Sequence, residues 1–116
     1  MSYDIYLQVQ AGTPKPDKYG YPWNGLADVH SQNYTSNCSP MWRAAGIDFQ
    51  DWDGRLARDM LPVLDSAIEA LKADPSRFEE MNPENGWGSY RTLVPWLEEL
   101  ATACRTYDLT TVGVSS

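Results

Sequence analysis

The chain has 116 residues, of which 42% are apolar, and its formal net charge is −7. This length allows one domain with one hydrophobic core, and the apolar content excludes a disordered chain. The surplus of negative charge disfavours direct binding to nucleic acid, because the phosphates would be repelled. We therefore expect residues 1–116 to form a single globular domain.

The negative charge is concentrated in the second part of the chain. Residues 1–46 carry three acidic and three basic residues, whereas residues 47–116 carry 13 acidic and six basic ones. A surface of this kind keeps a protein soluble, and it also attracts a basic partner.

The sequence has no segment that predicts membrane insertion or export. Nothing approaches 18 consecutive apolar residues, and the first residues, MSYDIYLQV, lack the basic and long apolar regions of a signal peptide. We therefore expect a cytoplasmic protein that makes no membrane contact. In a reducing compartment, Cys38 and Cys104 are expected to be free thiols.

The first predicted element is a half-buried strand over residues 2–10, SYDIYLQVQ. Its side chains alternate with the period of two that a strand requires. The face predicted to be buried carries Tyr3, Ile5, Leu7 and Val9.

A loop or an irregular hairpin is predicted over residues 11–28, because this stretch contains three prolines and three glycines. The segment ADVHSQNYT that follows alternates only weakly. Whether residues 19–36 add a third strand to the sheet is therefore left open.

The second half of the chain shows the periodicity of amphipathic helices. Asp51 or Asp53 is placed to cap a first helix, and Pro62 predicts a kink within it. The apolar stripe of this helix consists of Leu56, Met60, Leu64, Ala67, Ile68 and Leu71.

Two further helices and a strand complete the predicted fold. The pair Asp74-Pro75 predicts the start of a short helix, residues 82–89 form a turn-rich connector, and Ser89 caps the last helix. Residues 109–114 predict a strand with Val112 and Val114 facing inward. The core stripe of the last helix is Leu93, Trp96 or Leu97, Leu100, Ala101 and Cys104.

These elements predict an α+β domain. A sheet of two strands alone is only marginally stable, so it needs helices packed against it. We expect a small two- or three-stranded antiparallel sheet with two to three helices on one face.

No group of residues predicts a catalytic, metal or cofactor site. His30 is the only histidine and has no ligand spacing around it, and a nucleophilic pair of His30 with Cys38 would depend on contacts that sequence spacing does not establish. Asp48, Asp51 and Asp53 lack the glycine and distal glutamate of a calcium loop. They are better explained as acids at a helix N-terminus.

Two segments rich in amides and aromatic side chains are the candidate binding surfaces. The segment 30–42 contains Asn33, Tyr34, Thr35, Asn37 and Trp42, and the segment 82–90 contains Asn85 and Trp87. Amides and hydroxyls donate and accept hydrogen bonds, and tryptophan offers a flat apolar face, which suits a ligand pocket or a protein interface. Alternatively, these side chains cap turns and close the ends of the core.

Four stretches of the chain resemble a family of small uncharacterised proteins encoded by actinobacteria, other Gram-positive bacteria and their phages. They are MSYDIYL, NYTSNCSPMWRAAGI, LPVLDSAIEAL and NGWGSYRTLVPWLEEL. The resemblance covers most of the chain except residues 11–28, and its most distinctive motif is NYT-x-N followed by proline and an apolar residue. It implies a cytosolic accessory protein of bacterial or phage origin, and it implies no particular activity.

Two hypotheses for function follow. The first is a non-enzymatic interaction protein, such as a phage-encoded modulator of a host protein, that acts through its acidic helical face and the segment 30–42. The alternative is a small-molecule or nucleotide-binding protein with a pocket between segments 30–42 and 82–90. An enzyme is the weakest interpretation, since it requires His30 and Cys38 or two carboxylates to converge.

Overall fold

The computed structural model describes residues 1–16, 18–20 and 22–116. The strands are β1 (Ser2–Gln10), β2 (Lys15–Pro16), β3 (Pro22–Trp23), β4 (Leu26–Thr35) and β5 (Thr111–Ser115). The helices are α1 (Ser39–Ala44), α2 (Ala57–Ala73), α3 (Pro75–Glu79) and α4 (Tyr90–Thr106), with short 3-10 turns at Ser36–Cys38 and Phe49–Trp52.

The main sheet has three antiparallel strands in the order β4-β1-β5. The third strand left open by the sequence is therefore β4, which pairs with β1 from Ser2 opposite Thr35 to Gln10 opposite Leu26. Strands β2 and β3 form a separate two-stranded sheet within the predicted loop 11–28. Positions 17 and 21 of that predicted loop lie outside the described residues.

The buried face of β1 is shorter than its sequence predicts. Tyr3, Ile5 and Leu7 are buried, but Val9 is 39% exposed. The register of β1 against β4 shifts between Leu7 and Gln8. A shift of this kind bends and twists the strand locally, so the simple alternation of side chains ends at Leu7.

The predicted cap of the first long helix is wrong. Helix α2 begins at Ala57, and neither Asp51 nor Asp53 caps it. The Ala57 and Arg58 N–H groups instead donate to main-chain carbonyls of residues 110 and 108, just before β5. The free donors of the first turn are therefore satisfied by tertiary contacts. The Asp53 carboxylate accepts a hydrogen bond from the Val114 N–H at 2.9 Å.

The predicted cap of the last helix is confirmed. The Ser89 hydroxyl accepts a hydrogen bond from the Thr92 N–H at 3.3 Å, at the start of α4. Helix α3 also begins where predicted, at Pro75, although the Asp74 side chain makes no capping bond.

One core joins the inner face of the sheet to α2 and α4. The predicted stripes supply Met60, Leu64 and Leu71 from α2, and Leu93, Leu97, Leu100 and Cys104 from α4. Aromatic rings close the end of the core near β4, where Trp42, Phe49 and Trp96 pack edge to face. The fold is thus the expected α+β domain. Among the helices of the described residues, none combines the length and the apolar character needed to cross a membrane.

Candidate functional site

A cleft of about 800 Å³ lies between the end of β4 and the segment 82–90. Six of the seven binding residues predicted from the sequence line it, although they come from segments about 50 residues apart: Asn33, Tyr34, Thr35, Asn37, Asn85 and Trp87. The remaining lining residues, which the sequence did not indicate, are Met1, Ser2, Gly88 and Thr92.

Trp42 is the predicted binding residue that does not line the cleft. Its side chain is 1% exposed and packs edge to face against Tyr3 and Phe49, with ring centroids 5.6 and 5.2 Å away. Helix α1 directs Trp42 toward the core together with Met41. Trp42 is therefore a core residue and offers no surface to a ligand.

Tyr34 connects the two walls of the cleft. Its hydroxyl accepts a hydrogen bond from the Ser89 N–H at 3.1 Å and lies 2.6 Å from the hydroxyl of Thr92. Burial raises the pKa of the Tyr34 phenol, so this group stays neutral and keeps its proton for donation. The end of β4 and the start of α4 are thereby held at a fixed separation.

Gly88 allows the segment 82–90 to approach β4 closely. Its backbone has φ of +86°, and a Cβ atom at this position would lie 2.6 Å from Cγ2 of Thr35 and 2.8 Å from Sγ of Cys38. Both the conformation and the approach favour glycine, because any side chain would collide with packed atoms. The sequence around Gly88 does not indicate this requirement, which depends on the contact with Thr35 and Cys38.

The three side-chain amides that line the cleft differ in the hydrogen bonds that they make to the protein itself. The Asn33 side-chain NH₂ donates to the Ser2 hydroxyl at 3.1 Å and to the Asp4 carboxylate at 2.8 Å. The Asn85 side-chain carbonyl accepts from the Trp87 N–H at 3.0 Å and so fixes a turn. Within the described residues, the Asn33 side-chain oxygen and the Asn85 side-chain NH₂ make no hydrogen bond.

Asn37 differs from the other two amides. It is exposed, and within the described residues its side chain makes no hydrogen bond. The Trp87 ring in the same cleft is 70% exposed, and its indole N–H makes no hydrogen bond to any described residue. The cleft thus presents an unused amide and an indole face and N–H to solvent.

The lining of the cleft is polar but uncharged. None of the side chains that line it, as the described residues define it, is acidic or basic. The surface can therefore form hydrogen bonds and stack against a flat or aliphatic group. It provides no counter-charge for a phosphate or a carboxylate from its side chains.

The residues considered for catalysis make structural contacts. His30 Nε2 lies 2.7 Å from the Gln32 side-chain oxygen, and Cys38 Sγ lies 3.9 Å from the Tyr34 hydroxyl. Cys38 is fully buried, and its burial raises the pKa of the thiol, which disfavours a nucleophilic thiolate.

The acidic group considered for calcium also has a structural role. Asp48 caps the 3-10 turn at Phe49–Trp52 by accepting from the Gln50 N–H. Across the described ranges, no cluster of three or more His, Cys, Asp or Glu side chains has the arrangement of a metal site.

Comparisons with known proteins give no relative for this chain. No family model, no curated protein and no solved structure matches it. Inferences about function therefore rest on the cleft itself.

Proposed function

We propose that this chain is a non-enzymatic binding protein and that its recognition site is the cleft between β4 and the segment 82–90. The observation that supports this most strongly is the Asn37 amide, which makes no hydrogen bond within the described residues and lies in the same cleft as the exposed Trp87 ring. A largely exposed indole beside an amide that makes no hydrogen bond within the described residues is typical of a binding surface.

The lining defines the chemistry of the ligand. The uncharged side chains favour a ligand that is uncharged where it contacts them, offers hydrogen-bond donors and acceptors to Asn33, Asn37 and Asn85, and presents an apolar face to Trp87. A ligand whose charge enters the cleft would be desolvated without a compensating partner. Both a small molecule and a segment of a partner protein fit this description, so the same cleft serves either hypothesis.

A thermal-shift screen with uncharged metabolites, saccharides and end-blocked peptides tests this proposal. A compound that binds the native cleft stabilises the fold, by about 1.4 kcal/mol at ten times its Kd. Asn37→Ala and Trp87→Ala should remove the shift. Leu109→Ala is the matched control, because Leu109 is 69% exposed and lies outside the cleft. Hits that shift all three variants like the wild type would contradict the proposal.

The charge distribution supports a second candidate surface. Asp74, Glu79, Glu80 and Glu84 are exposed around α3, whereas Asp65 and Glu98 are paired with Arg105 and Lys72. These four acids make no salt bridge within the described residues, so a basic partner would meet them, and it would be a host protein if the chain is of phage origin. Reversal of Asp74, Glu79 and Glu80 to lysine should abolish capture of such a partner and leave binding in the cleft unchanged, because none of the three lies in the segment 82–90.

A further inference from the structure

Strand β4 is an edge strand whose outer side has no partner in the described chain. The Ser36 N–H donates to the Met1 carbonyl, and Tyr34 and Gln32 lie opposite Tyr3 and Ile5 in the same register. In an antiparallel ladder, alternate residues bond to the neighbouring strand. The even-numbered residues therefore bond to β1, and the main-chain groups of residues 31 and 33 point away from the sheet.

These outward groups are free and exposed. Ser31 and Asn33 are both exposed, and across the described ranges no hydrogen bond reaches their N–H or C=O groups. The segment 30–35, HSQNYT, contains no proline, lysine, arginine or carboxylate. Natural edge strands are normally protected by such residues, so this edge is unusually open to pairing.

The cleft lies at the end of this edge, where β4 is followed by the turn at Ser36–Cys38. Asn33, Tyr34 and Thr35 all line it, although consecutive side chains of a strand point to opposite faces of the sheet. Three consecutive residues share one surface where that surface wraps around the edge at the end of the strand. A ligand that extends from the cleft along the outer side of β4 would meet the free N–H and C=O groups of Asn33 and then those of Ser31.

We propose that the occupant of the cleft is an extended, uncharged stretch of a partner polypeptide, which adds to β4 as a fourth strand. This inference rests on the proposed binding function and names its ligand class. Main-chain hydrogen bonds to residues 31 and 33 hold the segment, as in other cases of strand addition. Trp87, which projects from the opposite wall, packs on an apolar side chain of the segment.

The charge of the protein adds a further property of the partner. The side chains of the lining are uncharged, which favours uncharged side chains in the paired stretch. The protein outside the cleft is acidic, with a formal net charge of −7. Basic residues that flank the paired stretch would therefore be attracted at long range.

The test begins with a displayed library of random nonapeptides selected on the wild-type protein. A selected peptide is then resynthesised with N-methyl groups on alternate residues, in two series that differ in phase. Because a strand bonds with every second residue, one series should lose at least tenfold in affinity and the other should not. The main-chain N–H of Asn33 should also exchange more slowly with deuterium when the peptide is bound.

A protein variant provides an independent test. Ser31→Pro removes one outward N–H group and leaves the bonds to β1 intact, which edge strands tolerate. It should weaken the peptide at least tenfold while the circular dichroism spectrum is retained. If this variant does not fold, the two N-methyl series on the wild type still decide the question.

The other outcomes separate this inference from the proposed function. Equal effects of both N-methyl series, or a failure to select any peptide, would overturn strand addition. The cleft itself would still stand if Asn37→Ala and Trp87→Ala abolished the thermal shift with a non-peptide compound. Dimerisation through β4, detected by sedimentation and abolished by Ser31→Pro, would overturn the partner segment in favour of a second copy.

Discussion

Tyr34 of β4 and Thr92 of α4 are joined by a hydrogen bond of 2.6 Å between their hydroxyl groups. The same Tyr34 hydroxyl accepts the main-chain N–H of Ser89, the residue that caps α4. The sheet, the helix and the segment 82–90 thus meet at one phenol. This arrangement holds Trp87 and Asn85 across from the end of β4.

Tyr34→Phe should destabilise the protein without emptying the core. The ring remains, but the half-buried Ser89 N–H loses its acceptor, whereas the exposed Thr92 hydroxyl keeps its contacts with Ser89, so we expect a loss of about 0.5–1.5 kcal/mol. Urea denaturation measures the loss. Tyr6→Phe is the control, since within the described residues the Tyr6 hydroxyl makes no hydrogen bond, and its effect should stay within about 0.5 kcal/mol. Equal losses in both variants would contradict the proposed role of Tyr34.

Gly88→Ala should cost more than Gly86→Ala, although both glycines have positive φ. At Gly86 a Cβ atom meets nothing within 4 Å, so its cost is the conformational penalty of about 1–2 kcal/mol. At Gly88 the methyl group must also displace Thr35 and Cys38, which adds about 1–3 kcal/mol. The difference in unfolding free energy between the two variants measures the close approach directly. Identical values would show that the segment moves away at no cost.

The parts of the fold that the sequence predicted correctly depend on local rules. The stripe through Leu93, Leu97 and Leu100 and the cap at Ser89 follow from spacing alone, because both are set within one helix. The alternation in β4 is too weak to decide between a strand and a loop. This segment becomes a strand through its pairing with β1 rather than through its own propensity.

The errors arise where distant segments meet. Asp51 and Asp53 have the right residue type for a cap, but carbonyls before β5 satisfy the first turn of α2 instead. Composition indicated most of the cleft, since amides and aromatic residues without periodicity stand out. The roles of Gly88 and Thr92 depend on contacts with β4 that no local pattern encodes.

The two tryptophans predicted for one site should behave in opposite ways. Trp42→Ala should destabilise the fold by about 3–5 kcal/mol, because its ring is 1% exposed and the cavity would lie inside the aromatic cluster. Trp87→Ala should change stability by no more than about 0.5 kcal/mol, because its ring is 70% exposed. Denaturant titration of both variants checks this contrast. A large loss for Trp87→Ala would show that the ring closes the core and is not held for a ligand.

The stability of the protein should fall at alkaline pH through Cys104. This thiol is 1% exposed, and its burial raises the pKa from 9.0 to about 11 despite the opposing charge of Arg105. Because the folded pKa lies above the unfolded one, the contribution is fully present below pH 9 and is lost as the pH rises to about 11. Urea denaturation between pH 8 and pH 11 measures the loss, which corresponds to about 2–3 kcal/mol.

Cys104→Ala isolates this contribution from the other groups that titrate at alkaline pH. The variant loses stability at every pH because it leaves a small cavity, but its decline between pH 8 and pH 11 should be shallower than that of the wild type. Alkylation gives an independent check. The native thiol should react with iodoacetamide at pH 8 far more slowly than the unfolded one, since both access and the thiolate fraction are low. If the unfolding free energies of wild type and variant fell in parallel between pH 8 and pH 11, the buried thiol would not be the cause of the loss of stability at alkaline pH.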